Sequence, residues 1–413
     1  MQKVLLIEAD VAAGEDMLTA AAGLGLETYV ATHEELYERY RPELRTKVTG
    51  TAFTDFAAPE KALDDLETFC RARGIDGIVA VWEFLSPLAT RLAARLGLPG
   101  HLPERADHCR NKRLMAEAFA AHGVPAPRTV SAADPQGLAQ RIEESGWDYP
   151  LVVKPAENAA SIGVSVVRSA QELPDAARLA QHQTHKYPHG IALDTTLLAQ
   201  EYVDGDEFSV ETVLFGGAVH HLVITEKFTT AGTSRAELGH TVPAELAPNV
   251  RASVYAATGR ALAALGLRDG LAHTEVKVDG HGHPKVIEVG ARPPGDHIMR
   301  LVHDALGIDV ARAYLQTTLG RRPDVTPRRE AAAAIRFITA PRAGTLRGVG
   351  ALPQGEHVVA TSVTKAPGDE VGDPQDNMGR IGHVMLRADS AAEVNKAAVE
   401  AMGSLTVELA NER

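Results

Sequence analysis

Residues 271–297 read LAHTEVKVDGHGHPKVIEVGARPPGDH, and this stretch decides the fold. Polar and apolar residues alternate along LAHTEVKVD, and Gly280 and Gly282 lie between this run and KVIEVG. Alternation with a period of two on either side of glycine is typical of two strands joined by a tight turn. The stretch therefore predicts a β-hairpin, around which we expect the rest of the chain to be organised.

Each predicted strand of this hairpin carries one carboxylate, Glu275 on the first and Glu288 on the second. Across a tight turn the two can face the same side of the sheet, and Mg2+ prefers a few carboxylate oxygens together with substrate phosphates. Arg292 follows the second strand, before Pro293 and Pro294, where it can face an anion beside the metal. Because a single acidic residue on a strand is usually solvated, the hypothesis of a metal site depends on this combination.

Composition limits the class of protein. The chain has 413 residues, of which 45% are hydrophobic and 23% charged, and these values predict a soluble globular protein of two or three domains. Its net charge is −12 without a prominent basic run, which argues against nucleic acid or a membrane surface as a partner. Cys70 and Cys109 form no metal or redox motif, and no apolar run reaches the ~20 residues that a membrane helix needs. We therefore expect a cytoplasmic protein.

Residues 1–107 alternate between strand and helix patterns. Apolar runs at 3–8, in LETYVAT and in GIDGIVAVW predict strands, and intervening segments such as 60–73 and 86–96 predict helices. This alternation is typical of a small doubly wound α/β domain. The segment lacks the G-x-G-x-x-G fingerprint, so the sequence does not predict a dinucleotide site.

Three polar or aromatic residues, Trp82, Glu83 and Ser86, follow the third predicted strand. Ligands often bind at the carboxyl ends of the strands in such domains, so these residues are candidates to line a substrate pocket. Core packing for Trp82 and helix capping for Ser86 are the alternative interpretations.

Two lysines lie at positions that disfavour a positive charge, so an anionic partner would stabilise them. Lys112 lies in the first turn of a helix predicted over about 111–122, where its positive charge opposes the helix dipole. Lys154 ends the apolar strand LVV, and burying its charge alone would be costly. The small-residue loop AENAASIGV follows at 156–164, and its backbone N–H groups can close on phosphate oxygens. Such loops are also common turns, and the P-loop motif is absent.

Residues 197–213, LLAQEYVDGDEFSVETV, predict a strand, a turn and a second strand. The extended segment from Gln200 to Val203 can pair its backbone with the edge of an adenine ring. Glu207, just past the turn, can accept hydrogen bonds from ribose hydroxyls. The alternating pattern alone does not establish either role.

Taken in order, these motifs resemble the ATP-grasp superfamily of carboxylate–amine ligases over about residues 1–320. The resemblance implies an α/β (α+β) chain with the ATP-grasp fold. Its expected parts are an N-terminal doubly wound α/β domain at 1–107, a central small α+β lid at 108–204, a C-terminal antiparallel-sheet ATP-grasp lobe at 205–330 and a β-rich tail subdomain at 331–413.

The same resemblance implies roles for individual residues. Glu275 and Glu288 match the two magnesium carboxylates, and Arg292 matches the arginine that stabilises the anions of the reaction. The implied cofactors are ATP and Mg2+, with Mn2+ as an alternative metal. Gly290 stands where the family commonly has asparagine, so a second metal ion would be held by Glu288, phosphate and water, or be bound less tightly. The implied ATP-binding residues are Lys112, Lys154, Ser161, Gly163, Gln200, Glu201, Val203 and Glu207.

Within the superfamily, the chain resembles the bacterial L-amino acid ligases of the bacilysin type. ITEKFTTAGTSRAELGHTVPAEL at 224–246 is similar to their substrate loop. By this resemblance Glu237 would hold the amino group of the first amino acid. His240 would contact its carboxylate or the transferred phosphate, with an ordinary turn histidine as the alternative. Asp296 stands where that group often has a bulky residue, which implies a polar or basic amino acid, or a different amine.

The expected reaction is the ATP-dependent joining of an amino acid carboxylate to an amine through an acylphosphate, with Arg292 and His240 as catalytic residues. One alternative is another ATP-grasp ligase, either a carnosine-synthase-like enzyme or a bicarbonate-using carboxylase, although the chain has no biotinyl-lysine segment. A second is a non-catalytic nucleotide-binding protein, which the retained lysines, carboxylates and arginine disfavour. The expected partners are small-molecule substrates, and a homodimer is the commonest assembly of soluble enzymes.

Overall fold

The computed structural model describes residues 1–231, 235–372 and 377–410. The hairpin predicted at 271–297 is present, and its two antiparallel strands place Glu275 directly opposite Glu288. Val276 and Val286 are fully buried on its other side. A shift of one residue would expose this apolar side, so burial holds the two carboxylates in register.

The N-terminal layer is a parallel four-stranded sheet in the order β3-β2-β1-β4, with helices between the strands. The doubly wound α/β prediction for this region is therefore confirmed. The sequence pattern missed β3, which has only four residues, GTAF. The elements are β1 (Lys3–Ile7), α1 (Ala12–Gly23), β2 (Glu27–Thr32), α2 (Glu34–Tyr37), α3 (Pro42–Arg45), β3 (Gly50–Phe53), α4 (Pro59–Arg73), β4 (Gly77–Ala80) and α5 (Ser86–Leu96), with short 3-10 helices at Glu83–Leu85 and Pro103–Cys109.

The central layer is a four-stranded sheet in the order β5-β10-β6-β7, and a two-stranded hairpin, β8-β9, extends from it. The Asn111 side chain caps the helix that carries Lys112, because it accepts hydrogen bonds from the backbone N–H groups of residues 113 and 114. The elements are α6 (Lys112–Ala121), β5 (Thr129–Ala132), α7 (Pro135–Ser145), β6 (Leu151–Pro155), β7 (Ser165–Val167), α8 (Leu173–Gln181), β8 (His185–Lys186), β9 (Ile191–Ala192) and β10 (Leu197–Glu201), with a 3-10 helix at Ala170–Glu172.

The remaining chain builds a large sheet of eight strands in the order β15-β14-β11-β12-β13-β16-β20-β18, and a small sheet in the order β19-β17-β21. The elements are β11 (Asp206–Phe215), β12 (Ala218–Thr229), β13 (Glu237–Val242), α9 (Pro248–Ala264), β14 (Gly270–Val278), β15 (Pro284–Gly290), α10 (Ile298–Leu306), α11 (Val310–Thr318), β16 (Ala332–Thr339), β17 (Gly344–Val349), β18 (Val358–Val363), β19 (Glu370–Val371), β20 (Arg380–Ala388), α12 (Ala391–Gly403) and β21 (Val407–Leu409), with a 3-10 helix at Asn377–Gly379.

The large sheet crosses the predicted boundary between the C-terminal lobe and the tail. Strands β16, β18 and β20 come from residues 331–413, yet they continue the sheet that begins with β11 to β15. The domain boundaries at 107, 204 and 330 stay predictions, but the tail shares backbone hydrogen bonds with the lobe before it.

One apolar core joins the N-terminal layer to the C-terminal lobe. Leu6 of β1 and Leu18 of α1 belong to the same buried cluster as Leu301 of α10 and Leu315 of α11. This packing holds the carboxyl end of β4, and the turn that follows it at 83–85, beside the large sheet.

A buried ion pair fastens the β8-β9 hairpin to the N-terminal layer. The Glu8 carboxylate, at the end of β1, lies 3.1 Å from Nε2 of His189, and both side chains are almost fully buried. Glu8 also accepts hydrogen bonds from the Tyr40 and Thr32 hydroxyls and from the backbone N–H groups of residues 9 and 10. Burial opposes ionisation of Glu8, but the hydrogen bonds with His189 and Tyr40 outweigh it and lower its pKa.

We predict that Glu8→Gln lowers the free energy of unfolding by about 3 kcal/mol at pH 7, because the amide cannot satisfy the donors that now surround a carboxylate. Since the pKa of Glu8 is lower in the folded state, this stabilisation is present above the unfolded pKa, which is about 4.3, and is lost as the pH falls through the folded value. Thermal melting of both proteins from pH 7 to pH 3 measures the effect.

The matched control is Glu15→Gln, which removes an exposed pair with Arg41 in the same layer and should change stability by less than about 1 kcal/mol. Equal melting temperatures for Glu8→Gln and Glu15→Gln at pH 7 would contradict the role of the buried pair.

Candidate active site

A cavity of about 490 Å3 lies where the three layers meet. The start of α1, the turn after β4, the central sheet and the hairpin β14-β15 all contribute to its wall. Of the residues predicted for the site, Gly163 and His240 lie behind this wall. The predicted site residues that line the cavity are Lys112, Lys154, Ser161, Gln200, Glu201, Val203, Glu207, Glu237, Glu275, Glu288, Arg292 and Asp296.

The two hairpin carboxylates each contact a buried lysine. Oε1 of Glu275 lies 2.6 Å from Nζ of Lys227, and Oε1 of Glu288 lies 2.9 Å from Nζ of Lys112. Burial opposes ionisation of Glu275, but Lys227 and His273 lower its pKa well below the usual value. Glu275 is therefore held in its charged form, and each of the two facing carboxylates contacts a cation from another element.

The two predicted nucleotide lysines are both buried, and they differ electrostatically. Burial opposes the charge of Lys112, but the carboxylates of Glu288 and Glu83 raise its pKa. Burial lowers the pKa of Lys154 to about 8, and repulsion from Lys112 adds to this effect although Glu288 opposes it. The cavity therefore holds one lysine that an added anion would stabilise in its protonated form.

Lys227, on β12, is a site residue that the sequence analysis missed. Its side chain is 1% exposed, and Nζ lies 2.6 Å from Glu237 and 3.5 Å from Glu207, in addition to Glu275. Burial opposes its charge, but Glu237, Glu275 and Glu207 together raise its pKa well above the usual value. A single lysine in the alternating run ITEKFTT gives no local signal. Only the sheet order, which places β12 beside β11 and β13, brings it to the carboxylates.

Arg292 is held by Glu83 from the N-terminal layer. Nε of Arg292 lies 2.5 Å from Oε2 of Glu83, and Nη1 donates to the carbonyl of Pro293 at 2.9 Å. Burial disfavours the charge of Arg292, but the Glu83 carboxylate raises its pKa. Trp82 and Glu83 line the cavity as the sequence suggests, whereas the hydroxyl of Ser86 donates to the carbonyl of Glu83.

A second charged cluster lies on the other side of Lys227. Asp296 forms two hydrogen bonds with Arg380, at 2.6 and 2.9 Å, and its Oδ2 lies 3.0 Å from Nε2 of His240. Glu237 is 3.2 Å from Arg380 and accepts a hydrogen bond from Asn377 at 2.8 Å. Burial opposes ionisation of Asp296, but His240 and Arg380 lower its pKa well below the usual value. Arg380 and Asn377 were missed, since they lie in the stretch APGDEVGDPQDNMGR, whose composition indicates turns.

This second cluster also has a composition that can hold a metal ion. Ligand atoms of Glu237, His240 and Asp296 lie within 4.8 Å of one another. The Arg380 guanidinium already pairs with both carboxylates. We therefore interpret the cluster as an ion-pair network.

The loop predicted to cover phosphate has strained backbone. Ala160 and Ser161 have φ angles of 58° and 62°, in the left-handed region that favours glycine, and Gly163 has 78°. A Cβ atom at Gly163 would also lie 3.1 Å from the Cα atom of Ala180. The hydroxyl of Ser161 donates to the carbonyl of Arg235 across the cavity, at 2.9 Å. The loop is therefore folded against the segment before β13, and glycine is required at position 163.

The segment predicted to face adenine lies at the end of β10. The Gln200 amide donates to the Thr129 hydroxyl at 2.8 Å, and Glu201 pairs with Arg128 at 2.5 Å. These contacts fix the two side chains, and the sheet pairs the backbone of both residues with β6, so the segment past β10, at Tyr202 and Val203, is the part whose backbone can face a ligand. Residues 232–234 of the predicted substrate loop at 224–246 lie outside the described residues. Along the described parts of the chain, no helix is long and apolar enough to cross a membrane.

Family models match most of this architecture. An ATP-grasp domain matches residues 147–300, which include the hairpin β14-β15 and Arg292. An ATP-grasp N-terminal domain matches residues 18–100, and an L-amino acid ligase C-terminal domain 2 matches residues 336–410.

This chain aligns with individual relatives over different fractions of their length. Alanine–anticapsin ligase from Bacillus subtilis is 24% identical over 69% of this chain and 66% of its own length. Carnosine synthase 1 from Homo sapiens is 27% identical over 64% of this chain, which spans only 33% of that relative.

A solved structure of L-amino acid ligase from Bacillus licheniformis superimposes with a TM-score of 0.83. It is 24% identical, and the match covers 100% of this chain and 99% of that one. The predicted ATP-grasp fold is therefore confirmed. The chain therefore carries ATP-grasp domains at residues 18–100 and 147–300, and it resembles ATP-dependent ligases that form C–N bonds.

Proposed function

We propose that the protein joins the carboxylate of an amino acid to an amine, forming a dipeptide or a related amide through an acylphosphate, with release of ADP and phosphate. The observation that carries this proposal is the meeting of Glu275, Glu288, Lys112, Lys154 and Arg292 in one cavity. Opposed carboxylates with several buried cations suit the handling of phosphate groups and a metal ion.

The first step brings two anions together, because the carboxylate must attack the γ-phosphoryl group. Lys112 and Lys154 are buried at one wall of the cavity, where their charges are weakly screened by water. In the proposed complex they neutralise the phosphates, and the loop at 156–163 covers them. The segment from Gln200 to Val203 receives the adenine, and Glu207 the ribose.

The metal proposed for the site is Mg2+, with Mn2+ as a substitute. The donor atoms at the hairpin are carboxylate oxygens, the type that Mg2+ prefers, and Glu275 and Glu288 would hold it together with phosphate oxygens. When bound, the ion supplies charge neutralisation for the transferred phosphoryl group. Lys227 and His273 lower the pKa of Glu275, which keeps this carboxylate ionised and able to serve as a ligand.

The second step is attack of the amine on the acylphosphate, which places negative charge on the carbonyl oxygen. Arg292 lines the cavity next to the hairpin, and Glu83 fixes the direction of its guanidinium. We assign it the role of stabilising this oxyanion. The acylphosphate must also be protected from water, which the folded loop at 156–163 accomplishes.

The amino acid subsite is proposed at Glu237 and Asp296, and His240, which is fully buried, reaches this subsite only through its contact with Asp296. Both oxygens of Asp296 are already paired, one with His240 and Arg380 and the other with Arg380. The pocket wall is therefore an ion pair, which favours a substrate with a polar side chain. A cytoplasmic location fits the use of ATP, and a homodimer stays a prediction.

The function is tested by measuring ADP release from ATP and Mg2+ with all twenty amino acids, singly and in pairs, and identifying products by mass spectrometry. A product equal to the two masses minus water would establish dipeptide formation. Parallel reactions with bicarbonate and with amines outside the twenty test the carboxylase and carnosine-synthase-like alternatives. ATP binding without ADP formation under every condition would contradict the proposal.

We predict that Arg292→Ala lowers the rate of ligation by about 10²–10³-fold, since it removes a donor to the developing oxyanion. ATP affinity should change little, because the nucleotide is bound by the lysines and the β10 segment. The measurements are steady-state product formation and calorimetric nucleotide binding. Arg300→Ala, which removes an arginine from the neighbouring α10, is the control. Near-normal turnover in Arg292→Ala would refute the assigned role.

We predict that the affinity for a non-hydrolysable ATP analogue falls as the pH rises above about 8. Burial lowers the pKa of Lys154 to about 8, so above this pH the lysine must take up a proton when the nucleotide binds. Calorimetry in buffers of different ionisation enthalpy measures this uptake. Lys154→Arg stays protonated and should show no such dependence. A wild-type affinity that is constant from pH 7 to pH 9.5 would contradict the prediction.

A further inference from the structure

Gly290 has no side chain to project beside the hairpin carboxylates. It lies two residues after Glu288 on β15, so a side chain there would project from the same face of the strand. A Cβ atom at position 290 would lie 3.2 Å from Oε2 of Glu83 and 3.4 Å from Nε of Arg292. The space that a side chain at 290 would need is therefore taken by the Glu83 carboxylate.

Glu83 comes to this position from the N-terminal layer. It begins the 3-10 turn after β4, is 6% exposed, and lines the same cavity as Glu275 and Glu288. Its Oε2 accepts the hydrogen bond from Arg292. Its Oε1 is buried, and within the described residues it has no hydrogen-bond partner. An unpaired buried carboxylate oxygen is destabilising, unless a ligand satisfies it.

Two cations connect Glu83 to the hairpin. Arg292, which follows β15, contacts Glu83, and Lys112 contacts Glu288. Both cations line the same cavity as the three carboxylates, which places Glu83 beside the hairpin site.

We propose that Glu83 is a third carboxylate ligand of the divalent cation at Glu275 and Glu288, and that it replaces the side-chain oxygen which Gly290 cannot provide. This inference rests on the proposed function, because that function places the cation at the hairpin. Oε1 of Glu83 would bind the cation while Oε2 keeps its hydrogen bond with Arg292. Cation binding would then require the N-terminal layer and the large sheet to be held together.

A simpler role for Glu83 would be to orient Arg292 alone. The two roles differ in what they predict for metal binding without turnover. If Glu83 only orients the arginine, removing either Glu83 or Arg292 should leave cation affinity unchanged. If Glu83 is a ligand, removing Glu83 should weaken cation binding, and removing Arg292 should not.

The experiment measures Mn2+ binding to the full-length chain by electron paramagnetic resonance, with a saturating non-hydrolysable ATP analogue. We expect Glu83→Gln to weaken Mn2+ binding at least tenfold, while Arg292→Ala stays within about threefold of wild type. We also expect the double variant Glu83→Ala/Gly290→Asn to recover affinity, because asparagine then has both the space and an oxygen for the cation. Circular dichroism confirms that each variant is folded.

Equal Mn2+ affinity in wild type and Glu83→Gln would overturn the proposal, as would failure of the folded double variant to bind better than Glu83→Ala. Failure of the proposed function is distinguished by its own result, which is absence of any ATP-dependent product from the wild type. If the wild type forms no product but still binds Mn2+, the Mn2+ affinities of the variants decide the role of Glu83.

Discussion

The repulsion between two facing, half-buried carboxylates is the constraint on which the site depends. Glu275 and Glu288 are opposite each other in the β14-β15 ladder, and the register cannot change without exposing the apolar face beneath. Negative charge at this position must be compensated from elsewhere, since a charge partly removed from water is destabilising without a partner. Lys227 arrives from β12 and Lys112 from the start of α6. The need for compensation thus ties three separate parts of the chain to one hairpin.

This arrangement also suits the binding of a cation together with a nucleotide. In the proposed complex, Glu275 and Glu288 would hold the cation, and Lys112, which contacts Glu288, would then be available to phosphate. Lys227 depends most on the carboxylates around it. It contacts three of them, and without them its charge would be uncompensated in a nearly dry environment. A divalent cation bound together with the nucleotide would offset part of the negative charge that the nucleotide alone would bring into the cavity.

The features that could be predicted from the sequence are those that a pattern of neighbouring residues specifies. The hairpin follows from alternation and glycine, and Lys154 follows from a lysine at the end of an apolar strand. The missed contacts join residues that are distant in the chain. Glu83 and Arg292 are 209 residues apart, and Glu237 and Asn377 are 140 apart. No periodicity connects such positions, and Lys227 looks like any lysine on a half-exposed strand until the order of the strands is known.

The tail shows most clearly why the pocket could not be assembled from motifs. Strand β16 pairs with β13, which begins at Glu237, and β20 pairs with β16, so the large sheet brings Arg380 next to two carboxylates that line the cavity. It contacts Asp296 and Glu237 and lies 3.6 Å from the ring centroid of Phe337 on β16. The tail therefore supplies the cation that holds the two carboxylates of the proposed amino acid pocket. Changes in the tail can then alter substrate choice without touching the hairpin, the lysines or Arg292, where the chemistry is proposed to occur.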